Sequence, residues 1–261
     1  MVVSLAITTK IALIVEYDGT NYYGFQLQAG SPTIQGELEK AIHKLTGEES
    51  RVMGASRTDT GVHAKGQVIS FRTKSSLPLQ VFINGLNYYL PQDIAVKTAY
   101  QVGDSFNVRH DAISREYKYY ILNSPTRSPI REGFSYLVAS PLNIEAMNQA
   151  CQALIGEHDF ASFVTSDGAG LKNTVRTVYK AEVEREGELV IFKMIANSFL
   201  PHQVRNTTGA LIRVGLGKMG IDEFFSITEA KTPGLAKPTA PACGLCLMQI
   251  NYPELFEGNR Q

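Results

Sequence analysis

The chain has 261 residues, 44% apolar and 19% charged, with no net formal charge. That is the balance of a globular protein with a real core, long enough for one large domain or two ordinary halves. Neutrality excludes a protein-wide field for nucleic acid or membrane and leaves only local ones. The three cysteines, Cys151, Cys243 and Cys246, make no disulfide framework. No window reaches the apolar length that spans a bilayer, and residues 1–10 lack the basic start of a leader, so a cytoplasmic protein is expected.

In chain order, residues 11–17 (Ile-Ala-Leu-Ile-Val-Glu-Tyr) predict a strand ended by Asp18-Gly19. The following loop mixes aromatics with amides: Tyr22, Tyr23, Phe25 and Gln26. Ser31 then Pro32 predicts a helix start. Ile34, Leu38, Ala41, Ile42 and Leu45 recur at helical spacing before Gly47 stops the helix. Short apolar runs, 51–53 and 67–71, flank the polar stretch 54–64. A second helix is predicted over 78–90, with Val81, Phe82, Gly85, Leu86 and Tyr89 on one side, and a strand over 93–100. Polar residues 106–112 read as a loop. Residues 113–123 read as a long strand whose alternation places Ile113, Arg115, Tyr117, Tyr119 and Ile121 on one face. The connection 124–133, with Arg127 and Arg131, looks exposed and basic.

The second half echoes the first. A helix from Asn143 carries Ile144, Met147, Cys151, Leu154 and Ile155 in register, and it ends in Leu-Ile-Gly-Glu as the first helix ends in Leu-Thr-Gly-Glu. Strands follow at 175–183 and 189–196, then a helix over 203–216 and a last strand over 246–252. The repeated order predicts an α+β fold of two pseudo-symmetric halves sharing a mostly antiparallel central sheet flanked by helices. The boundaries are 1–112, with the loop around Asp59, and 113–261, completing a cleft.

Charge is segregated. No acid lies between Thr60 and Gln92, where Lys65, Arg72 and Lys74 stand, and none between Leu189 and Ile221, where Lys193, Arg205, Arg213 and Lys218 stand. This suits a basic groove on a neutral protein, and equally a set of uncharged buried strands.

The stretch Gly54-Ala55-Ser56-Arg57-Thr58-Asp59-Thr60-Gly61-Val62-His63-Ala64 is polar and glycine-bounded. It either presents one carboxylate to a ligand or forms an Asx turn bonded to itself. Asp59-Thr60-Gly61 matches the triplet of aspartic proteases, but those need two carboxylates sharing a proton, and no second copy occurs. Gly215-Leu-Gly217-Lys218-Met219 misses the phosphate-loop spacing. The Cys243-x-x-Cys246 spacing lacks a strand–helix setting for redox work and a second pair for zinc. In Phe199-Leu-Pro-His202-Gln-Val-Arg205-Asn206, Pro201 predicts a helix start with Arg205 in the first turn. A cation there opposes the macrodipole, so Arg205 calls for a specific anion, either Asp59 or a phosphate.

Ser56-Arg-Thr-Asp59-Thr-Gly-Val-His-Ala resembles the catalytic loop of the tRNA pseudouridine synthase A family. The likeness extends through Glu16-Tyr-Asp-Gly, Tyr23-Gly-Phe-Gln26, Arg115-Glu-Tyr117-Lys-Tyr119, Asp159-Phe-Ala-Ser-Phe163, Val204-Arg-Asn206 and Ala240-Pro-Ala-Cys-Gly-Leu245. Departures from the family pattern are Ser56 and Thr60 for Gly and Ala, Phe25 for Trp, and Pro201 and Gln203 for His and Met. The resemblance implies an isomerase that converts uridine to pseudouridine at positions 38, 39 and 40 of the tRNA anticodon stem-loop. It calls for no metal, redox or nucleotide cofactor. It implies Asp59 as the catalytic carboxylate and Tyr117 as the aromatic that stacks on the flipped base. Leu245 walls the pocket beside Tyr117, Arg57 reaches phosphate or holds the base out, and Arg205 is the candidate cation for the carboxylate. Arg109, His110 and Lys172 track the RNA backbone, and the protein acts as a homodimer. The alternative is a catalytically silent tRNA-binding protein of the same fold.

Overall fold

The structure is a computed structural model that describes residues 8–165 and 170–253. Residues 1–7 of the N-terminal stretch expected to lack a leader therefore lie outside the described residues. The chain divides into two compact units, Met1–Ile113 with Met248–Gln261, and Ser114–Leu247. Both are α+β, and their strand pairs are almost all antiparallel.

In the first unit, β1 (Thr9–Tyr17) lies between β3 (His63–Thr73) and β4 (Ile94–Val102), antiparallel to both. Leu13, opposite Ile69 on one side and Ala99 on the other, is wholly buried, as expected of a central strand. Two helices pack on each other, α1 (Ile34–Thr46) and α2 (Leu79–Tyr89). Ile34, Leu38, Ala41 and Ile42 are buried as their spacing predicts. On α2 only Phe82 and Leu86 are buried; Phe82 meets Phe71 of β3 edge-on at 6.0 Å, while Val81 and Tyr89 stay exposed. Gly85 lets α2 approach Leu45 of α1, because a Cβ there would lie 2.5 Å from Leu45 Cδ1. The expected run 51–53 shortens to β2 (Met53–Gly54), paired with β3 at Met53↔Ser70 and Gly54↔Ile69.

The start of α1 is corrected. Ser31-Pro32 does not cap it; Thr33 does, its hydroxyl accepting from Gly36 N at 3.2 Å. The Pro32 carbonyl is instead bound by Tyr23 N, which makes Pro32 part of the preceding loop.

In the second unit, β5 (Ser114–Leu122), β9 (Leu189–Ala196), β8 (Val175–Glu186) and β7 (Gly156–Asp159) follow one another across an antiparallel sheet. The two-residue β6 (Tyr136–Leu137) runs parallel to β5. Arg115, Tyr117, Tyr119 and Ile121 are buried on alternate positions of β5 as predicted, but Ile113 is half exposed and precedes the strand. The helices are α3 (Ile144–Cys151), α4 (Gln203–Gly215) and α5 (Ile221–Ala230), of which α5 was not foreseen. Asn143 caps α3 through Ala146 N at 3.0 Å. Gly215 of α4 makes room for Met147 and Leu142, each under 3.0 Å from where its Cβ would sit. The last strand, β10, is Leu245–Asn251.

Candidate active site

The Asp59 loop joins β2 to β3, and three separate restraints hold it. Its incoming arm is fixed by Gln67, a wholly buried residue of β3. The Gln67 amide accepts from Ser56 N at 3.2 Å and donates to Ser56 O at 2.7 Å. A side chain thus supplies the donor–acceptor pair that a neighbouring strand would have supplied, just past the last ladder bond from Ala55 N to Val68 O. The middle of the loop is fixed by Tyr17, at the end of β1, whose phenol hydrogen-bonds the Thr58 hydroxyl at 2.8 Å in a buried setting. The tip is a turn in which the Asp59 carbonyl accepts from Val62 N at 3.1 Å. Gly61 takes its third position with φ of 76°, the conformation a type II turn reserves for glycine.

The loop over residues 18–25 backs this turn. Phe25 N donates to Thr58 O at 3.0 Å, and Gly61 N to Tyr22 O at 3.3 Å. Gly19 N donates to His63 Nδ1 at 3.1 Å. Gly19 and Gly24 are small by necessity: a Cβ would lie 2.0 Å from Val62 O at the first and 2.7 Å from Thr58 O at the second. Phe25 is buried against Gly54, and Tyr22 is anchored by a hydrogen bond to Asp93. Burial, then that bond, raises the Tyr22 phenol's pKa above the ordinary tyrosine range. Asp59 itself is half-buried and Arg57 is exposed. The result is a carboxylate on a rigid turn, with a guanidinium two residues away.

Arg109 and His110 are exposed on a loop of the same unit. The Asn107 side-chain oxygen accepts from both of their backbone N–H groups at 3.1 Å, and Asp111 closes back on Asn107 N at 2.8 Å. Phe106 and Val108 root the loop: the Phe106 ring lies 5.4 Å from that of Tyr252, whose hydroxyl donates to Val108 O. Two basic side chains therefore stand on a pre-ordered backbone.

In the second unit, Tyr117 on β5 is buried and meets Phe199 edge-on, ring centroids 5.1 Å apart. Arg205 sits in the first turn of α4, as its sequence position predicted, although the helix begins at Gln203 rather than Pro201. Its Nε donates to Ala240 O at 2.9 Å, and Ala240 N donates back to Arg205 O at 3.1 Å. The first turn of α4 contains no acid. Tyr119, wholly buried, donates to Pro241 O at 2.7 Å, and Gly244 packs on its ring. Burial raises the pKa of this phenol well above its ordinary value. The same stretch leads into Leu245, buried at the start of β10. Lys172 is exposed on the loop before β8.

In two motifs some residues serve the scaffold. In Asp159-Phe-Ala-Ser-Phe163 the Phe160, Ser162 and Phe163 side chains are wholly buried, and the Ser162 hydroxyl accepts from Thr232 N. Asn206 spans Phe163 O, at 2.8 Å, and the Thr239 hydroxyl. Sequence reasoning missed Gln67 and Tyr17. A Gln facing the core of a predicted strand was the available signal, since buried amides need partners.

The tRNA pseudouridine synthase family profile matches residues 13–111 and 150–253. The chain is 44% identical over 243 residues to tRNA pseudouridine synthase A of Thermoanaerobacter sp. (strain X514), covering 93% of this chain and 99% of that protein. It is 43% identical to the protein of the same name from Pelobacter propionicus, covering 93% and 99%, and 42% identical to that of Francisella tularensis, covering 95% and 96%. These matches define an RNA-modifying isomerase. The chain belongs to the tRNA pseudouridine synthase family, whose reaction converts uridine to pseudouridine in tRNA. No helix among the described residues is long and apolar enough to cross a membrane.

Proposed function

We propose that this isomerase acts at uridines 38, 39 and 40 of the tRNA anticodon stem-loop and that Asp59 is its catalytic carboxylate. The observation that carries the reading is the restraint of the Asp59 loop by Gln67, by Tyr17, by its own turn and by the loop at 18–25. A group that must meet a sugar or a base at bonding distance has to be held within a fraction of an ångström.

The reaction breaks the N1–C1′ bond, rotates the uracil and forms a C5–C1′ bond. The C5 proton leaves and N1 gains one, so atoms and electrons balance with no cofactor. Asp59 acts in its ionised form, as nucleophile toward C1′ or C6 or as base at C2′. A base within a stem has to be flipped out first, at a cost of roughly a few kcal/mol. Tyr117 is assigned to stack on the freed ring, with Leu245 as an apolar wall, and its phenol is assigned to assist loss of the C5 proton. Arg57 is assigned to phosphate or to holding the base out. Arg205 is assigned to an anion, the carboxylate or a phosphate. Arg109, His110 and Lys172 are assigned to the RNA backbone, where cations supply most of the affinity. Residues of both halves, 1–112 and 113–261, are thereby assigned to one reaction. A cytoplasmic homodimer completes the proposal, because an anticodon arm is longer than one small unit.

The test is Asp59→Ala in a single-turnover assay on unmodified tRNA. Product formation is abolished while the tRNA dissociation constant stays within about tenfold, because one carboxylate adds little to a phosphate-dominated affinity. Retained turnover in the variant overturns the assignment of Asp59. Absence of product from the wild-type chain supports the silent tRNA-binding alternative instead.

A further inference from the structure

His202 is one of two non-glycine residues with positive φ among the described residues; its φ is 60° and ψ −1°. That conformation is uncommon for any residue with a side chain, though His and Asn adopt it more readily than most, and it is free for glycine. His202 also occupies the N-cap of α4 without capping it: no side-chain bond reaches the helix N–H groups, where Asn, Asp, Ser or Thr would serve. Two local rules are broken at one residue, the pattern expected where geometry serves function.

A contact of the side chain shows what is gained. His202 Nδ1 lies 3.2 Å from Arg205 Nη1. A guanidinium only donates, so in this contact Nδ1 is the acceptor. Arg205 Nε is meanwhile bound to Ala240 O at 2.9 Å. The planar guanidinium is thus gripped at two points, which fixes both its position and its tilt. The turn that carries His202 is itself locked. Gln203, wholly buried, accepts from Leu200 N at 2.8 Å through its side chain, and its own N–H donates to Leu200 O at 3.2 Å. One residue before Leu200, Phe199 packs on Tyr117. A single strained turn therefore sets both the aromatic contact of Tyr117 and the orientation of Arg205.

We propose that His202 is a positioning residue that holds the Arg205 guanidinium in one orientation toward its anion during pseudouridine formation. The proposal rests on the assignment of Arg205 to an anion in the reaction. It accounts for the strain: the left-handed backbone directs the imidazole toward the guanidinium, where a capping rotamer would face the helix N–H groups.

The test compares His202→Gly, His202→Asn, Arg205→Ala and the Gly–Ala double variant by melting temperature and by kcat and KM for tRNA. Gly adopts the same backbone without strain, and Asn tolerates it while supplying the missing cap. Both are expected to melt at or above the wild-type temperature yet lose at least tenfold in kcat/KM. In the Arg205→Ala background the His202 change is expected to add less than twofold. His202 variants within twofold of wild type, or a loss that multiplies in full with that of Arg205→Ala, overturn the proposal. An Arg205→Ala variant as active as wild type would instead remove the reading on which it rests. If His202→Gly melts lower, the Asn variant decides by the same criteria.

Discussion

A methyl group at Gly24 is a direct probe of the coupling between scaffold and site. The Cβ of Gly24→Ala would lie 2.7 Å from Thr58 O and 3.3 Å from both Asp59 C and Thr60 N. Van der Waals contact needs roughly 3.5 Å, so the backbone beside Asp59 has to retreat by several tenths of an ångström. Two costs add. The φ of 84° strains alanine by about 1–2 kcal/mol. Overpacking against a backbone already bonded to Phe25 N adds about 1–3 kcal/mol. At about 2–4 °C per kcal/mol for a chain of this size, the melting temperature falls by roughly 4–20 °C. Since a 1 Å misplacement of reacting groups costs about a hundredfold, a shift of half that size should lower kcat about tenfold. Gly30→Ala is the control: it has the same left-handed strain, with φ of 76°, but nothing within 4 Å of its Cβ. It is expected to lose about 1–2 kcal/mol of stability and no activity. Thermal melts, with pseudouridine formation measured well below both transitions, separate the two effects. Equal activity of Gly24→Ala and Gly30→Ala would refute the claim that the 18–25 loop positions Asp59.

Arg109→Ala is expected to weaken tRNA binding without changing kcat, and to reduce the slope of log K against log salt by about 0.7–0.9, the signature of one lost phosphate contact; an unchanged slope would remove Arg109 from the RNA surface. Burial, and then the charge of Glu182, push the Cys151 thiol up to about 12. The neutral thiol is therefore favoured in the folded state. The unfolded chain ionises it from about pH 9, so its contribution to stability is intact below that and is lost as pH rises toward 12. Native-state alkylation at pH 8 should accordingly spare Cys151, and denaturant titrations should show stability falling above pH 9 less steeply in Cys151→Ala. Rapid native labelling of Cys151, or equal slopes, would contradict this.

The parts of the fold legible in the sequence were those set by local periodicity. Helix α1, with Ile34, Leu38, Ala41 and Ile42 on one stripe, and strand β5, with Arg115, Tyr117, Tyr119 and Ile121 alternating, lie where spacing puts them. Ends were less legible, because several residues compete for one role. Ser31-Pro32 and Pro201 both read as helix starts, yet Thr33 and His202 occupy the caps. Helix α5 carries a signal that was passed over: Gly220, then Asp222 and Glu223 in the first turn, then buried Phe224 and Thr228 four apart. The Gly-Glu-His-Asp run of β7 has no apolar periodicity to read and owes its strand to pairing with β8.

In the site, residue types carried much of the information. The polar, glycine-bounded turn by itself left open whether Asp59 meets a ligand or only its own backbone, and the family resemblance decided the assignment of Asp59 and Arg57. The restraints on that turn were not legible. Tyr17 meets Thr58 across 41 positions of sequence, and Gln67 meets Ser56 across 11, so the partners emerge only once β1 and β3 pair. Sequence likeness alone also does not separate chemistry from scaffold. Residues 160–163 of the Asp159–Phe163 motif, which carries part of the family likeness, are buried core.

The central claim is that a single restrained carboxylate, without any added cofactor, isomerises uridines of the anticodon arm. Mass mapping of unmodified tRNA after incubation with the purified chain tests it most directly. Pseudouridine should appear at positions 38, 39 or 40 with the wild-type chain and nowhere in that arm with Asp59→Ala. Modification confined to other positions, or product formed equally by the variant, would contradict the account.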